Sequence, residues 1–183
     1  MSRNSDFTVE VNDLVKVYRT GPVRFTALNG ISLKVRRGEI VSIVGPSGSG
    51  KSTLLNMIGL LDNPTSGKVH IDGTDVSKLD EDKKSVLRNR KIGFVFQTYN
   101  LIHRLTSVEN VELPLIALGM PSNIRRKKAE KVLSSVGLAS KYHNRPFELS
   151  GGEQQRVALC RALASDPTLI LGDEITGNVD TKT

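Results

Sequence analysis

Gly45-Pro46-Ser47-Gly48-Ser49-Gly50-Lys51-Ser52-Thr53 packs glycines, hydroxyls and a lysine into one short loop. That composition suits phosphate, and the segment fits G-x-x-x-x-G-K-[ST] in full. The glycines at 45, 48 and 50 let backbone N–H groups turn inward around phosphate oxygens. Lys51 supplies a point charge to β- and γ-phosphates, the Ser52 hydroxyl is a Mg²⁺ ligand, and Thr53 reaches the α-phosphate side. A helix opening at Lys51 would add free N–H groups and the positive end of its dipole. Together these predict a bound nucleoside triphosphate. Asp173 and Glu174 follow a short apolar strand far downstream. Adjacent acids after a strand are usually surface groups. Downstream of a phosphate loop they acquire roles: Asp173 holds Mg²⁺, mainly through its water, and Glu174 polarises the attacking water. A third segment, Leu149 to Arg156 (LSGGEQQR), contains Ser150-Gly151-Gly152-Glu153. On capping grounds this is an ordinary S-x-x-E helix start. Its bare N-terminus is equally an anion site.

The elements that must position these residues can be read from periodicity. Phe7 to Tyr18 reads as a strand with an early turn at Asn12-Asp13, and Ile31 to Val35 as a second, closed by Arg37-Gly38. Glu39 to Val44 (EIVSIV) reads as a buried strand feeding the glycine-rich loop, and Ser52 to Leu61 as the helix after it. Lys68 to Ile71 is a strand closed by Asp72-Gly73, a hairpin dipeptide. Lys91 to Gln97 is another. Residues 101–163 are mostly helical in pattern, with breaks at Pro114, Pro121, Gly137 and Pro146. One helix spans Ser122 to Gly137, with Ile124, Val132, Leu133 and Val136 on its apolar face, and another starts at Ser150. Thr168 to Leu171 returns to a strand. The predicted fold class is α/β: a P-loop NTPase core with a mostly parallel sheet, an N-terminal antiparallel β subdomain and an inserted helical subdomain. Residues 1–97 and 165–183 form the core, and 98–164 the helical insert.

The string LSGGEQQRVALCRALASDPTLILGDE resembles the signature helix and following strand of ABC ATPases. The resemblance covers nearly the whole chain. It implies that Tyr18 stacks on adenine, although a tyrosine at a strand edge is also ordinary. It implies that Gln97 contacts Mg²⁺ and the attacking water, and that Asp180 lies in the loop crossing a dimer seam. The chain's own phosphate loop is complete, so the phosphate meeting Ser150 to Glu153 should come from another subunit. The family likeness implies a head-to-tail homodimer with two ATPs in its interface, each with Mg²⁺, and an ATPase coupled to transport. MIGLLDNPTSG, RNRKIGFVFQTYNLI and LTSVENVELPL are similar to the macrolide-exporter and lipoprotein-release type. That type pairs with an integral-membrane permease, which implies a cytoplasmic protein lying on the inner face of the cell membrane.

Several positions depart from the family pattern. Glu153 stands where Gln is frequent, Gly172 where Ala is usual, Ile175 where Pro is usual and Val179 where Leu is usual. Proline would stiffen the loop carrying Glu174. The family also has a switch histidine on a later strand, whereas His70, His103 and His143 all precede Asp173. A C-terminally truncated form is therefore expected. It leaves open an alternative reading, a remnant that binds nucleotide without turnover. A further alternative, a soluble ABC ATPase outside transport, would usually carry two such domains or long coiled coils.

Composition narrows the classes further. The chain has 183 residues and a net charge of +7. The single cysteine, Cys160, allows no internal disulfide and suits a reducing compartment. No apolar run approaches the ~18 residues of a membrane span, and MSRNSDF has no apolar core of a secretory signal. Basic runs at Lys83–Lys91 and Arg125–Lys131 read as solvated helix faces. Aromatic residues do not interleave with them, so no nucleic-acid partner is expected.

Overall fold

The computed structural model describes residues 6–173. They fall into two compact units, divided after Val86.

The first unit is built on a four-stranded antiparallel sheet of order β2-β1-β3-β4: β1 (Phe7–Thr20), β2 (Val23–Arg36), β3 (Ser66–Ile71) and β4 (Thr74–Asp75). Strands β1 and β2 are one long hairpin turning at Gly21-Pro22, with Thr20 opposite Val23. The expected turn at Asn12-Asp13 is instead a β-bulge. The register of β1 shifts between Val11 and Leu14 while the strand continues. Asp13 takes a positive φ of 46° there, and its N–H donates to Ser32 Oγ at 2.9 Å. One extra residue is absorbed without ending the ladder. The Asp72-Gly73 hairpin forms as expected, with φ of 47° and 75°.

Helix α1 (Lys51–Ile58) buries Leu54, Met57 and Ile58. With Val9, Val11 and Leu14 of β1, Leu28 of β2, Val69 and Ile71 of β3, and Leu60 and Val76, they are the buried apolar residues described in this unit. Burying each such side chain contributes about 1.5–3 kcal/mol.

Residues 39–44 do not form the expected buried strand. They join neither sheet, and Ile40 and Val44 are 96% and 92% exposed. An apolar β-branched run has strand propensity, but a strand exists only where a neighbour completes its backbone hydrogen bonds. Among the described residues this segment has no ladder partner. Helix α2 (Glu81–Lys91) follows a 3-10 turn at Val76–Lys78 and runs into the second unit. The basic run on it is less solvated than expected, because Lys84 is buried and pairs with Glu81 at 3.1 Å.

The second unit joins a parallel pair, β5 (Ile92–Val95) and β6 (Leu169–Gly172), to three helices, α3 (Ser107–Ala117), α4 (Ser122–Ser135) and α5 (Gly151–Leu163). A parallel pair needs a long crossover, and here the helices supply it. The helical core contains Val108, Val111 and Leu115 of α3, Ala129 and Leu133 of α4, and Val157, Ala158 and Cys160 of α5. Leu133 of the expected α4 face is buried, whereas Ile124 is exposed.

Pro114 does not break the chain as expected. It lies inside α3. A mid-helix proline costs ~3 kcal/mol, but α3 buries Val108, Val111 and Leu115 and opens with a Thr106–Glu109 capping box. That packing outweighs the lost hydrogen bond. The basic run on α4 is also partly tied down. Arg126 donates two bonds, of 3.0 and 3.2 Å, to the buried carboxylate of Glu112, and Lys128 reaches Asp166 at 2.5 Å.

Candidate functional site

The phosphate loop closes onto α1 through Gly50. This residue is the helix N-cap, with φ 91° and ψ 8°, and makes no side-chain cap hydrogen bond. A glycine is required there twice over. The backbone is left-handed, and a Cβ would lie 2.4 Å from the Ala27 carbonyl oxygen of β2. With no side-chain cap, the first-turn N–H groups of α1 remain available to an anion. Gly48 also has a positive φ, 78°. Ser49 N donates to Pro46 O at 3.3 Å, turning the loop back on itself. Lys51 Nζ donates to the carbonyls of Gly45 and Pro46, both at 2.8 Å, so its ammonium is folded over the same loop. The loop therefore presents backbone donors and a cation on a rigid helix start. Such a donor set fits a polyphosphate.

Tyr18, near the end of β1, is tied to the residues around this loop. Its phenol donates to Asp62 Oδ2 at 3.0 Å. Lys16, two residues earlier on the strand, places Nζ 2.7 Å from Asp62 Oδ1 and 4.7 Å from the centroid of the Tyr18 ring. Burial pushes the Tyr18 phenol up, and the Asp62 hydrogen bond and charge push it further. Burial alone would push the Asp62 carboxyl up as well. Hydrogen bonds from Lys16, the Asn63 N–H and Tyr18 outweigh it and carry the group below its ordinary range. Sequence reasoning found Tyr18 but missed Lys16 and Asp62. Only their proximity in space marks them.

In the second unit, β5 and β6 run parallel with Val95 opposite Gly172, and Asp173 N donates to Val95 O at 3.1 Å. Gln97 and Asp173 thus leave the carboxyl ends of neighbouring parallel strands, where ligands of open α/β sheets bind. Gly93 of β5 has Ala162 of α5 against it, since a Cβ would lie 2.4 Å from that carbonyl. The turn after Gln97 holds Tyr99 and Asn100 at φ 58° and 47°. Arg161 of α5 secures it, donating to the carbonyls of Tyr99 and Asn100 at 2.7 and 2.6 Å. Arg161 was also missed, because in sequence it is one basic residue within a helix.

Ser150 is the N-cap of α5, and the capping box is complete. Glu153 N donates to Ser150 Oγ at 3.3 Å, and Ser150 N donates to Glu153 Oε2 at 2.8 Å. The Ser150 N–H first, and then the Ser150 hydroxyl, hold the Glu153 carboxyl below its ordinary range, with Lys141 adding a smaller effect. Gly151 and Gly152 are exposed at the helix start. Glu174 and Asp180 lie outside the described residues, as do Ile175 and Val179. Among the described residues no group of three His, Cys, Asp or Glu side chains could hold a metal ion by itself. Cys160 is fully buried, and burial pushes its thiol up to about 12.

Comparison with known proteins gives a consistent picture. Residues 28–177 match the family described as ABC transporter. An uncharacterized ABC transporter ATP-binding protein of Thermotoga maritima is 56% identical over 96% of this chain and 75% of its own length. The lipoprotein-releasing system ATP-binding protein LolD of Aquifex aeolicus is 54% identical over 85% of this chain and 70% of its own. Among solved structures, a dimeric ATP-binding cassette in a post-hydrolysis state, bound to ADP and Pi, superposes with a TM-score of 0.86. It is 47% identical, over 94% of this chain and 76% of that one.

Proposed function

Because the chain belongs to the ABC transporter family of ATP-binding proteins, we propose that it is the ATP-hydrolysing subunit of a membrane transporter or extraction complex. In this reading its ATP is shared between two copies. The observation that carries it is the phosphate loop, where a left-handed glycine N-cap and a folded-over lysine crown an uncapped helix. The α/β architecture agrees, with an antiparallel β unit and a helical segment between two parallel strands.

The proposed roles follow from the chemistry of each group. Backbone N–H groups of 45–50 and the start of α1 bind phosphate oxygens, with Pro46, Ser47 and Ser49 shaping the loop. Lys51 neutralises charge on the β- and γ-phosphates, and Thr53 serves the α-phosphate side. Tyr18 carries the adenine on its ring face. Ser52, Gln97 and Asp173 would hold Mg²⁺, which when bound neutralises phosphate charge. Glu174 accepts a proton from water as the water oxygen bonds to the γ-phosphorus. The bond from that phosphorus to the β–γ bridging oxygen breaks, and ADP keeps the electron pair. Gln97 orients the same water. Ser150 to Glu153 and Asp180 act on the ATP held by the other copy. Electrostatic positioning of this kind is the main protein contribution to phosphoryl transfer.

The solved relative is itself described as dimeric and bound to ADP and Pi, which supports the two-copy arrangement. The relative from Aquifex aeolicus is named for a lipoprotein-releasing system. That kinship supports a position at the cytoplasmic face of a membrane, against an integral-membrane permease. Among the described residues no helix is long and apolar enough to cross a membrane. We further divide the domain into a nucleotide core, 1–97 with 165–183, and a helical signature subdomain, 98–164.

The test is ligand-dependent melting. ATP with Mg²⁺ at about a hundred times its Kd should stabilise the fold by ~2.7 kcal/mol, a rise of about 5–10 °C for a chain of this size. Lys51→Ala should remove that rise. No shift at millimolar ATP would refute the phosphate-loop reading.

A further inference from the structure

Tyr18 is half-exposed, yet its side chain is held at two points. The phenol donates to Asp62 Oδ2 at 3.0 Å, and the ring has the Lys16 ammonium 4.7 Å from its centroid. Lys16 and Tyr18 are two apart on β1 and so project from the same face of the strand. The ammonium itself has little freedom. It donates to Asp62 Oδ1 and to the Asn63 carbonyl, both at 2.7 Å, and its side chain is only 12% exposed. Asp62 is fixed in turn by the Asn63 N–H at 2.6 Å. Asn63 receives a hydrogen bond from the buried Lys84, which also pairs with Glu81. An exposed surface tyrosine needs none of this bracing. A stacking platform does, because a ring that rotates freely must be ordered when the base arrives, and ordering a side chain costs binding free energy.

We propose that Asp62, braced by Lys16, is a positioning residue that fixes the ring of Tyr18 for the base of ATP. It thereby sets affinity for the nucleoside part of the ligand and not for its phosphates. The proposal rests on the reading of Tyr18 as the base-stacking residue. Lys16 occupies one face of the ring, so the base stacks on the opposite face. The ammonium's charge is balanced by Asp62.

The experiment measures the Kd of the full chain for ATP and for inorganic tripolyphosphate, which has phosphates but no base. The variants are Asp62→Ala, Asp62→Asn, Tyr18→Phe, Tyr18→Ala and the Asp62→Ala/Tyr18→Phe double variant. Tyr18→Phe keeps the ring and removes only the phenol bond. We expect Asp62→Ala and Tyr18→Phe each to weaken ATP about three- to tenfold, the effect of one lost hydrogen bond of ordinary net strength. Tripolyphosphate affinity should stay unchanged, which also reports that the variants are folded. The double variant should bind ATP no worse than either single variant. Asp62→Asn should fall between wild type and Asp62→Ala. Tyr18→Ala should lose about tenfold or more for ATP, the contribution of one stacked base. If Tyr18→Ala weakens ATP while Asp62→Ala does not, the positioning role is overturned and the stacking reading stands. If Asp62→Ala weakens both ligands equally, Asp62 is only structural and the proposal fails. If Tyr18→Ala changes neither ligand, the stacking reading falls and the proposal with it. If the unmodified chain binds neither ligand, the phosphate-loop reading falls too.

Discussion

Gly50→Ala should separate the two demands that the phosphate loop places on its last glycine. At φ 91° an L-residue is strained, at a cost of about 1–2 kcal/mol. The new methyl would also stand 2.4 Å from the Ala27 carbonyl oxygen and 3.1 Å from Leu28 Cδ2. The carbonyl belongs to β2 backbone and cannot swing aside as a flexible side chain would. Relieving such overpacking costs about another 1–3 kcal/mol. For a domain of this size each kcal/mol lowers Tm by roughly 2–4 °C. Gly48→Ala is the control. Its φ is 78°, but its Cβ would meet nothing within 4 Å, so it carries strain without the clash. Differential scanning fluorimetry with and without ATP reads both effects. Gly48→Ala should lower Tm by a few degrees and keep part of the ATP-induced rise. Gly50→Ala should lower Tm further and abolish the rise, because the loop must move off β2 and take the first N–H groups of α1 with it. Equal melting and equal ATP response in the two variants would refute the close-approach reasoning. A normal ATP response in Gly50→Ala would refute the role of the loop geometry altogether.

Cys160 is fully buried, and its thiol is pushed up to about 12 by burial. The thiolate is the reactive form, so the native chain at pH 8 should not react with an aromatic disulfide reagent until denaturant is added; prompt labelling would contradict its place in the helical core. Asp62 and Glu109 have folded pKa values below their ordinary 3.8 and 4.5. For Glu109 the backbone and hydroxyl of Thr106 are the cause. A depressed carboxyl contributes stability that is fully present above its unfolded value and is lost as pH falls through the folded one. Urea midpoints should therefore decline below about pH 4.5, with a shallower decline in Glu109→Gln; an identical slope in that variant would count against the capping contribution. The ionised carboxylate of Glu153 sits at the helix start proposed to face the partner's ATP. Glu153→Gln should therefore tighten ATP-dependent self-association, an effect that added salt screens; weaker association would argue against an anion at this helix end.

The parts of the site that depend on local chemistry were legible in the sequence, and the parts that depend on distant neighbours were not. The glycine spacing of the phosphate loop, the Ser150–Glu153 capping box and the Asp72-Gly73 turn each encode a backbone conformation within a few residues. Each forms as read. Residues 39–44 have the composition of a buried strand, yet sheet membership depends on a partner that composition does not name. Pro114 reads as a break because propensity is local, and the burial of α3 outweighs it. Asn12-Asp13 has the composition of a turn, and at Asp13 a bulge uses the same positive φ without ending the strand. Asp62, Lys16 and Arg161 carried no signal of their own, because their significance lies in which backbone or ring they reach.

The most direct measurement of the shared-ATP site is the mass of the Glu174→Gln variant by sedimentation velocity, with ATP or ADP present. Blocking proton acceptance by Glu174 should leave ATP intact between two copies. A stable dimer is expected in ATP and a monomer in ADP, and Ser150→Arg should dissolve the dimer while leaving ATP binding at the phosphate loop. A monomer in saturating ATP, or a dimer indifferent to Ser150→Arg, would contradict a site shared between Gly45–Thr53 of one copy and Ser150–Gly152 of the other.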